Sequence, residues 1–302
     1  MVTGPLAQQS HNGAATTSVQ AAIDMVATGN CAEALLALKR ELPHTTDKQL
    51  RYRAEMAQVR CAMAVDDEQT ATTALLKLRH EAPDDPEVLY ITTHYFSELG
   101  MRASQQLEAR APASYQARKL QAESLESQGR NDEAAAVYRA ILENDPKTPG
   151  IHYRLGQIEL AKAGDAGPTA DAKKEFQLET EVDPSNASAH FVLGELARRN
   201  SEWDEAVEQF SSAAKLDVGF SEAYLALGMS FAGSGKFINA IQPLERYVKM
   251  QPNDPAGHYQ LAMAYSRTGN KEGAARELAL QTKVAKNGLS ATDTTQGHSV
   301  RP

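Results

Sequence analysis

Eight histidines and two cysteines are the residues of this sequence that most often bind metals or perform acid–base and nucleophilic chemistry. Such chemistry needs fixed spacings, for example His-Glu-x-x-His or Cys-x-x-Cys for a zinc ion. Neither spacing occurs. Three histidines, His152, His190 and His258, instead recur where a related segment has Tyr224. We therefore predict that they are packing residues, and we predict no metal site, no catalytic residue and no cofactor.

The glycine-rich segment 233–236, Gly-Ser-Gly-Lys, resembles part of a phosphate-binding loop. Such a loop requires a glycine five residues before its Gly-Lys pair, and that position is Ser230. Ser230 also lacks the Gly-x-Ser-x-Gly frame of an esterase nucleophile, because the second glycine stands one residue too late. We interpret the segment as a turn between two helices.

The amino-acid composition argues against some classes of protein and some classes of partner. The formal net charge of −8 gives no overall positive field that would attract a phosphate backbone, so nucleic acid is not an expected partner. No apolar run approaches the roughly 20 residues of a membrane-spanning helix, and we expect a soluble protein. Residues 1–17 contain no signal-peptide core in the chain as given, so the compartment is left open: cytoplasmic, or exported if the N-terminus is trimmed.

Small residues recur every 34 positions, at Gly194, Gly228 and Ala262, and again at Ala206, Ala240 and Ala274. A period of this length is typical of helix-turn-helix units stacked on copies of themselves. Within one copy, apolar residues three and four apart give each helix an apolar stripe. We expect Gly228 and its equivalents Gly156, Gly194 and Ala262 to lie where two helix backbones approach closely, and Gly235 and Gly269 to lie in the turns.

The pattern in residues 221–254, with Tyr224, Leu227 and Gly228 on a first helix and Ala240 on a second, resembles the tetratricopeptide repeat. The resemblance implies an all-α fold, a right-handed α-solenoid of about eight stacked repeats. The predicted array covers residues 18–287, between disordered tails at 1–17 and 288–302. Its clearest repeats are 115–148, 149–186, 187–220, 221–254 and 255–287, the second of them with extra residues within 163–170. Segment 86–112 is a degenerate unit with a shortened second helix.

In proteins of this family the first helices line a concave groove that binds partner segments. The predicted partner-binding residues share that face of their helices: Tyr153, Arg154, Gln157, Phe191, Val192, Glu195, Arg198, Arg199, Leu225, Met229, Tyr259, Gln260, Met263 and Arg267. Aromatic, methionine and arginine side chains dominate binding energies at interfaces. We predict a protein or peptide partner with apolar anchors and a carboxylate. Alternatively, part of the apolar set packs against the next repeat.

Family members that capture chaperone C-termini carry a Lys and an Asn one helical turn apart. This sequence has Lys119 with Glu123, Tyr153 with Gln157, and Phe191 with Glu195. A chaperone-tail adaptor is therefore disfavoured.

Two further features bear on structure. Cys31 and Cys61 fall on helices that such an array places side by side, so both a disulfide and a pair of buried free thiols are open alternatives. Pro243 falls inside a predicted second helix, where a proline removes one hydrogen bond, and we expect a bend or a local opening there.

The sequence as a whole favours a non-catalytic protein–protein interaction scaffold. The alternative is a self-assembling structural or assembly-factor subunit, and hence a homo-oligomer, in which one end of the array docks on another copy. An enzyme subunit is a weaker alternative, because the repeats occupy nearly all of the chain.

Overall fold

A computed structural model describes the backbone of residues 6–163 and 170–296, and the side chains of residues 17–163 and 170–287. Within these ranges the regular structure consists of fifteen α-helices and one 3-10 turn, with no strand. This confirms the predicted all-α class. The predicted long turn within 163–170 lies almost wholly outside the described residues. The chain divides into two compact units, Met1–Pro112 (unit 1) and Ala113–Pro302 (unit 2).

Unit 1 contains two helix pairs and one single helix. Aspartates cap the N-termini of three of its helices. The Asp47 carboxylate accepts a hydrogen bond from the N–H of Leu50 at 2.8 Å, and the Asp67 carboxylate accepts one from the N–H of Thr70 at 3.1 Å. Asp85 accepts one in the same way from the N–H of Val88. The helices are α1 (Leu6–Ala27), α2 (Cys31–Glu41), α3 (Lys48–Ala64), α4 (Glu68–Glu81) and α5 (Pro86–Arg110), with the 3-10 turn at Leu42–His44.

Segment 86–112 differs from its prediction. Helix α5 is a single helix of 25 residues, not a helix followed by a shortened second one. The two helix pairs of unit 1 turn at residues with positive φ, Gly29 (80°) and Asp66 (64°). Gly100 has no such conformation, and nothing interrupts the helix there. The chain therefore continues as one helix through Gly100.

The ends of the described helices do not coincide with the predicted tails. Helix α1 begins at Leu6, within the segment predicted as a tail, and the last helix extends to Gln296, beyond the predicted array end at 287. Residues 1–5 and 297–302 lie outside the described residues. The number of repeats, about eight, stays a prediction.

Cys31 and Cys61 form a disulfide between α2 and α3, with their Cα atoms 4.8 Å apart. Cys61 is fully buried. The bond joins residues 30 positions apart. Of the two alternatives for the cysteines, the structure therefore shows the covalent one, and it ties the first helix pair to the second.

Unit 2 consists of five consecutive helix pairs, and each of the five clearest predicted repeats contains one first helix and all or most of one second helix. In each pair a first helix packs on a second helix, which then packs on the next first helix. The helices are α6 (Tyr115–Ser127), α7 (Asn131–Asn144), α8 (Ile151–Ala163), α9 (Ala170–Val182), α10 (Ala187–Arg199), α11 (Trp203–Leu216), α12 (Ser221–Gly233), α13 (Phe237–Met250), α14 (Pro255–Arg267) and α15 (Lys271–Gln296).

The small residues of the first helices face side chains of their second helices. A Cβ on Gly194 would lie 2.7 Å from the ring of Phe210, and one on Gly228 would lie 2.5 Å from Leu244. The need for a small residue was predicted correctly, but the expected approach of two helix backbones was wrong. A large, fully buried side chain of the second helix occupies that space.

Helix α13 runs without interruption from Phe237 to Met250 through Pro243, so the predicted local opening is not present. Leu244 and Tyr247, which follow the proline, are buried. Their packing holds the helix together although one backbone hydrogen bond is missing.

Candidate partner-binding surface

The first helices of unit 2 form a continuous side of the array. Helix α10 contacts α12, and α12 contacts α14. Nearer the start of the unit, Arg154 of α8 reaches Glu123 and Glu126 of α6, at 3.6 and 3.5 Å. The fourteen predicted residues lie on α8, α10, α12 and α14, and we refer to them as the first-helix surface.

None of the fourteen residues is buried. Four are exposed: Arg199, Tyr259, Met263 and Arg267. Ten are half-buried: Tyr153, Arg154, Gln157, Phe191, Val192, Glu195, Arg198, Leu225, Met229 and Gln260. The exposed members lie at the end of α10 and along α14.

Several apolar members of the first-helix surface hold the repeats together. The ring of Phe191 lies 5.5 Å from that of Phe210 and 4.8 Å from that of Phe220. Tyr153 packs edge-on against Phe176 at 5.5 Å. Leu225 joins the cluster around Leu261. These contacts agree with the alternative prediction, in which some of the apolar residues of the first-helix surface pack against the next repeat and not against a partner.

Two arginines of the surface are held by carboxylates of the chain itself. Arg198 donates two hydrogen bonds to Glu195, at 3.0 and 2.7 Å. Its bond to that carboxylate raises the pKa of the Arg198 guanidinium. Arg154 is shared between Glu123 and Glu126. The acidic partners of Arg154 are absent from the predicted set, although their i, i+3 spacing on α6 was visible in the sequence.

Two other arginines have no carboxylate partner among the described side chains. The guanidinium of Arg267 lies 5.6 Å from the ring centroid of Phe237. Arg199 is exposed at the end of α10. These are the cations of the surface that remain available to a partner's carboxylate.

The three repeated histidines each bond to the second helix of their own pair. The Nδ1 atoms of His152 and His258 lie 2.7 and 2.8 Å from carboxylate oxygens of Glu175 and Glu277. His190 Nδ1 lies 2.8 Å from the Gln209 side-chain oxygen. These histidines therefore form polar contacts in addition to the packing that was predicted for them.

Within the described side chains, no group of three His, Cys, Asp or Glu residues comes together as a metal site would need. None of the helices in the described part of the chain combines the length and apolar character needed to span a bilayer.

Comparison with known proteins identifies the repeat. A family model described as tetratricopeptide repeat matches residues 102–149, 120–167, 162–217 and 225–288, which together make up more than half of the chain. No curated protein matches the sequence.

Three solved structures of similar fold are distant in sequence. YrrB, whose structure is described as "a TPR protein with an unusual peptide-binding site", is 19% identical over 64% of this chain and 98% of its own, with a TM-score of 0.52. A double mutant of MamA from strain RS-1 is 17% identical over 58% and 96%, with a TM-score of 0.50. Another MamA structure is 21% identical over 56% and 96%, with a TM-score of 0.49. The likenesses to YrrB and to the double mutant of MamA show the fold, an all-α solenoid.

Proposed function

The chain belongs to the tetratricopeptide repeat family, and from that membership we propose that it is a non-catalytic interaction scaffold whose first-helix surface binds a segment of a partner protein. The proposal rests on one observation. Tyr259, Met263 and Arg267 are exposed at i, i+4 and i+8 along α14, so they form one stripe on one face of the helix.

The composition of that stripe supports the choice of partner. Tyr259 is 46% exposed and Met263 is 37% exposed, so both side chains offer apolar surface to a partner. Tyrosine, methionine and arginine are enriched where proteins bind one another. The partner segment supplies apolar side chains for Tyr259 and Met263 and a carboxylate for Arg267 or Arg199.

A capture experiment with matched variants tests this function. The intact chain, a Tyr259→Ala/Met263→Ala/Arg267→Glu variant and a Leu278→Ala/Leu280→Ala/Lys283→Glu control are each immobilised and exposed to lysate of the source cells. The control removes the same kinds of side chain from exposed positions of α15. We expect one partner to be retained by the intact chain and the control and lost by the first variant. Equal retention by all three would contradict the proposal.

Exposed leucines in unit 1 favour self-assembly as a second candidate. Leu36 on α2 is 73% exposed and Leu76 on α4 is 55% exposed. Contact with a second copy would remove this apolar surface from water, which favours association. In this case sedimentation would show a mass that rises with concentration, and a Leu36→Gln/Leu76→Gln variant would stay monomeric. A monomer at all concentrations would exclude this candidate.

A further inference from the structure

Unit 2 has an open groove on the side of its second helices. It lies between α11 and α13, with α12 beneath, and has a volume of about 780 Å³. None of the fourteen residues of the first-helix surface lines it. We refer to it as the second-helix groove, and it is separate from the first-helix surface.

The floor of the second-helix groove is apolar. Tyr224, Leu227 and Phe231 of α12 face it, and Ser211 and Pro243 line the two walls. A short serine and a compact proline leave the gap between α11 and α13 open. Ile238, also in the lining, is 76% exposed at the rim.

The matching gap in unit 1 has a different chemistry. It lies between α2 and α4, with α3 beneath, and its lining includes Glu55, Gln58 and Lys77. The Lys77 ammonium donates to the Glu55 carboxylate at 2.5 Å, which makes that gap polar. An apolar floor is therefore not a consequence of the repeat itself but of the residues on α12.

Pro243 leaves one backbone acceptor of α13 without its usual donor. Because proline has no N–H, the carbonyl oxygen of Asn239 lacks its usual donor four residues later. Asn239 also lines the groove. An N–H group of a bound segment would satisfy that oxygen.

Two cations lie on the α13 wall of the groove. The Arg246 guanidinium lies 5.8 Å from the ring centroid of Tyr224, and Lys249 stands one helical turn further on. Neither has an ion pair with any side chain in the described ranges. Glu245 also lines the groove, and its carboxylate accepts a hydrogen bond from Tyr265, at 2.5 Å, so the lining holds two cations and one anion. The groove therefore presents positive charge next to apolar surface.

We propose that the second-helix groove binds a short protein segment in which a large apolar side chain stands next to acidic side chains. The apolar side chain lies on Tyr224, Leu227 and Phe231, and the carboxylates meet Arg246 and Lys249. A backbone N–H of the segment donates to the Asn239 carbonyl. The chain thereby has a second binding face, independent of the first-helix surface.

A peptide-display selection tests this proposal. A phage library of random dodecapeptides is selected on the immobilised full-length chain and counter-selected on an Arg246→Glu/Lys249→Glu variant. Both substituted residues are exposed, so the variant is expected to fold. We expect enriched peptides that combine an aromatic or aliphatic residue with neighbouring Asp or Glu. Synthesised peptides should bind the variant about tenfold or more weakly than the intact chain.

The control is Lys174→Glu/Lys283→Glu, which makes the same charge change at exposed positions outside the groove. Its affinity should stay within about twofold of the intact chain. A Ser211→Gln variant, which narrows the groove without changing charge, should also weaken binding. No enriched peptide after counter-selection, or equal weakening by the control, would overturn the proposal. Loss of binding only in the Tyr259→Ala/Met263→Ala/Arg267→Glu variant would place the peptides on the first-helix surface and would also overturn it.

Discussion

The carboxylate of Glu179, near the end of α9, accepts a hydrogen bond from the backbone N–H of Gly150, 2.8 Å away and just before α8 begins. It also accepts from the N–H of Tyr153 at 3.2 Å and from the side chain of Asn186 at 2.9 Å. Glu179 is fully buried. One carboxylate thus ties the start of a first helix, the end of its second helix and the following turn.

Removing this carboxylate should destabilise unit 2. In Glu179→Ala, three donors lose their acceptor in a buried place, and we expect the free energy of unfolding to fall by about 3 kcal/mol. The measurement is urea unfolding of the full chain followed by circular dichroism. Glu181→Ala, at an exposed position of the same helix, is the control and should change little. Equal effects of the two substitutions would show that the Glu179 contacts contribute nothing.

Two glycine substitutions should change the stability of the chain in opposite directions. Gly194→Ala puts a Cβ 2.7 Å from the Phe210 ring and should cost about 1 to 3 kcal/mol through overpacking. Gly100→Ala adds a Cβ in open space inside α5 and should stabilise that helix by about 0.5 to 1 kcal/mol. Thermal unfolding of both variants measures the difference. A stabilising Gly194→Ala would mean that the packing of α10 on α11 is looser than the structure shows.

Loss of the disulfide should weaken unit 1. The bond closes a loop of 30 residues, and opening it should lower the free energy of unfolding by about 3 to 4 kcal/mol through the greater entropy of the unfolded chain. Unfolding of the intact chain with and without reductant measures this change. A Cys31→Ser/Cys61→Ser variant is the control, because reductant should leave its stability unchanged. An intact chain that is insensitive to reductant would contradict the prediction.

The capping aspartates of unit 1 should make its stability depend on pH in the acid range. Hydrogen bonds from Thr70 hold the pKa of Asp67 below its usual value, and those from Val88 do so for Asp85. A carboxyl group whose pKa is lower in the folded state stabilises the fold above its unfolded pKa of about 4. That contribution is lost as the pH falls through the lower, folded value.

An Asp67→Asn/Asp85→Asn variant tests this, since asparagine caps a helix without titrating. The urea midpoint of the intact chain should fall more than that of the variant between about pH 5 and about pH 3. Asp84→Asn, at an exposed position that begins no helix, is the control and should follow the intact chain. Identical pH dependence in the variant and the intact chain would contradict the prediction.

The helix pairs and their small residues could be predicted from the sequence because they follow directly from a 34-residue period. The contacts that define the binding surface could not. Phe191 was predicted to face a partner or, alternatively, to pack within the array, and its ring contacts those of Phe210 and Phe220. Arg198 binds Glu195 one turn before it. Helical spacing gives the face on which a residue lies, whereas the neighbouring repeat decides how much of that side chain is covered.

The second-helix groove shows the same limit. Pro243 was visible in the sequence as an irregularity, but its expected effect was on the helix backbone. Helix α13 continues through it, and Pro243 lines the groove together with Ser211. A gap of this kind depends on the side chains of three helices, so the sequence pattern of a single helix cannot predict it.

The most direct test of the scaffold function is the affinity of the captured partner for the purified full-length chain, measured by isothermal titration calorimetry. We predict that Tyr259→Ala/Met263→Ala/Arg267→Glu weakens binding by about tenfold or more, whereas Leu278→Ala/Leu280→Ala/Lys283→Glu leaves it within about twofold. Equal affinities of the intact chain and the first variant would contradict the claim that the first-helix surface binds the partner.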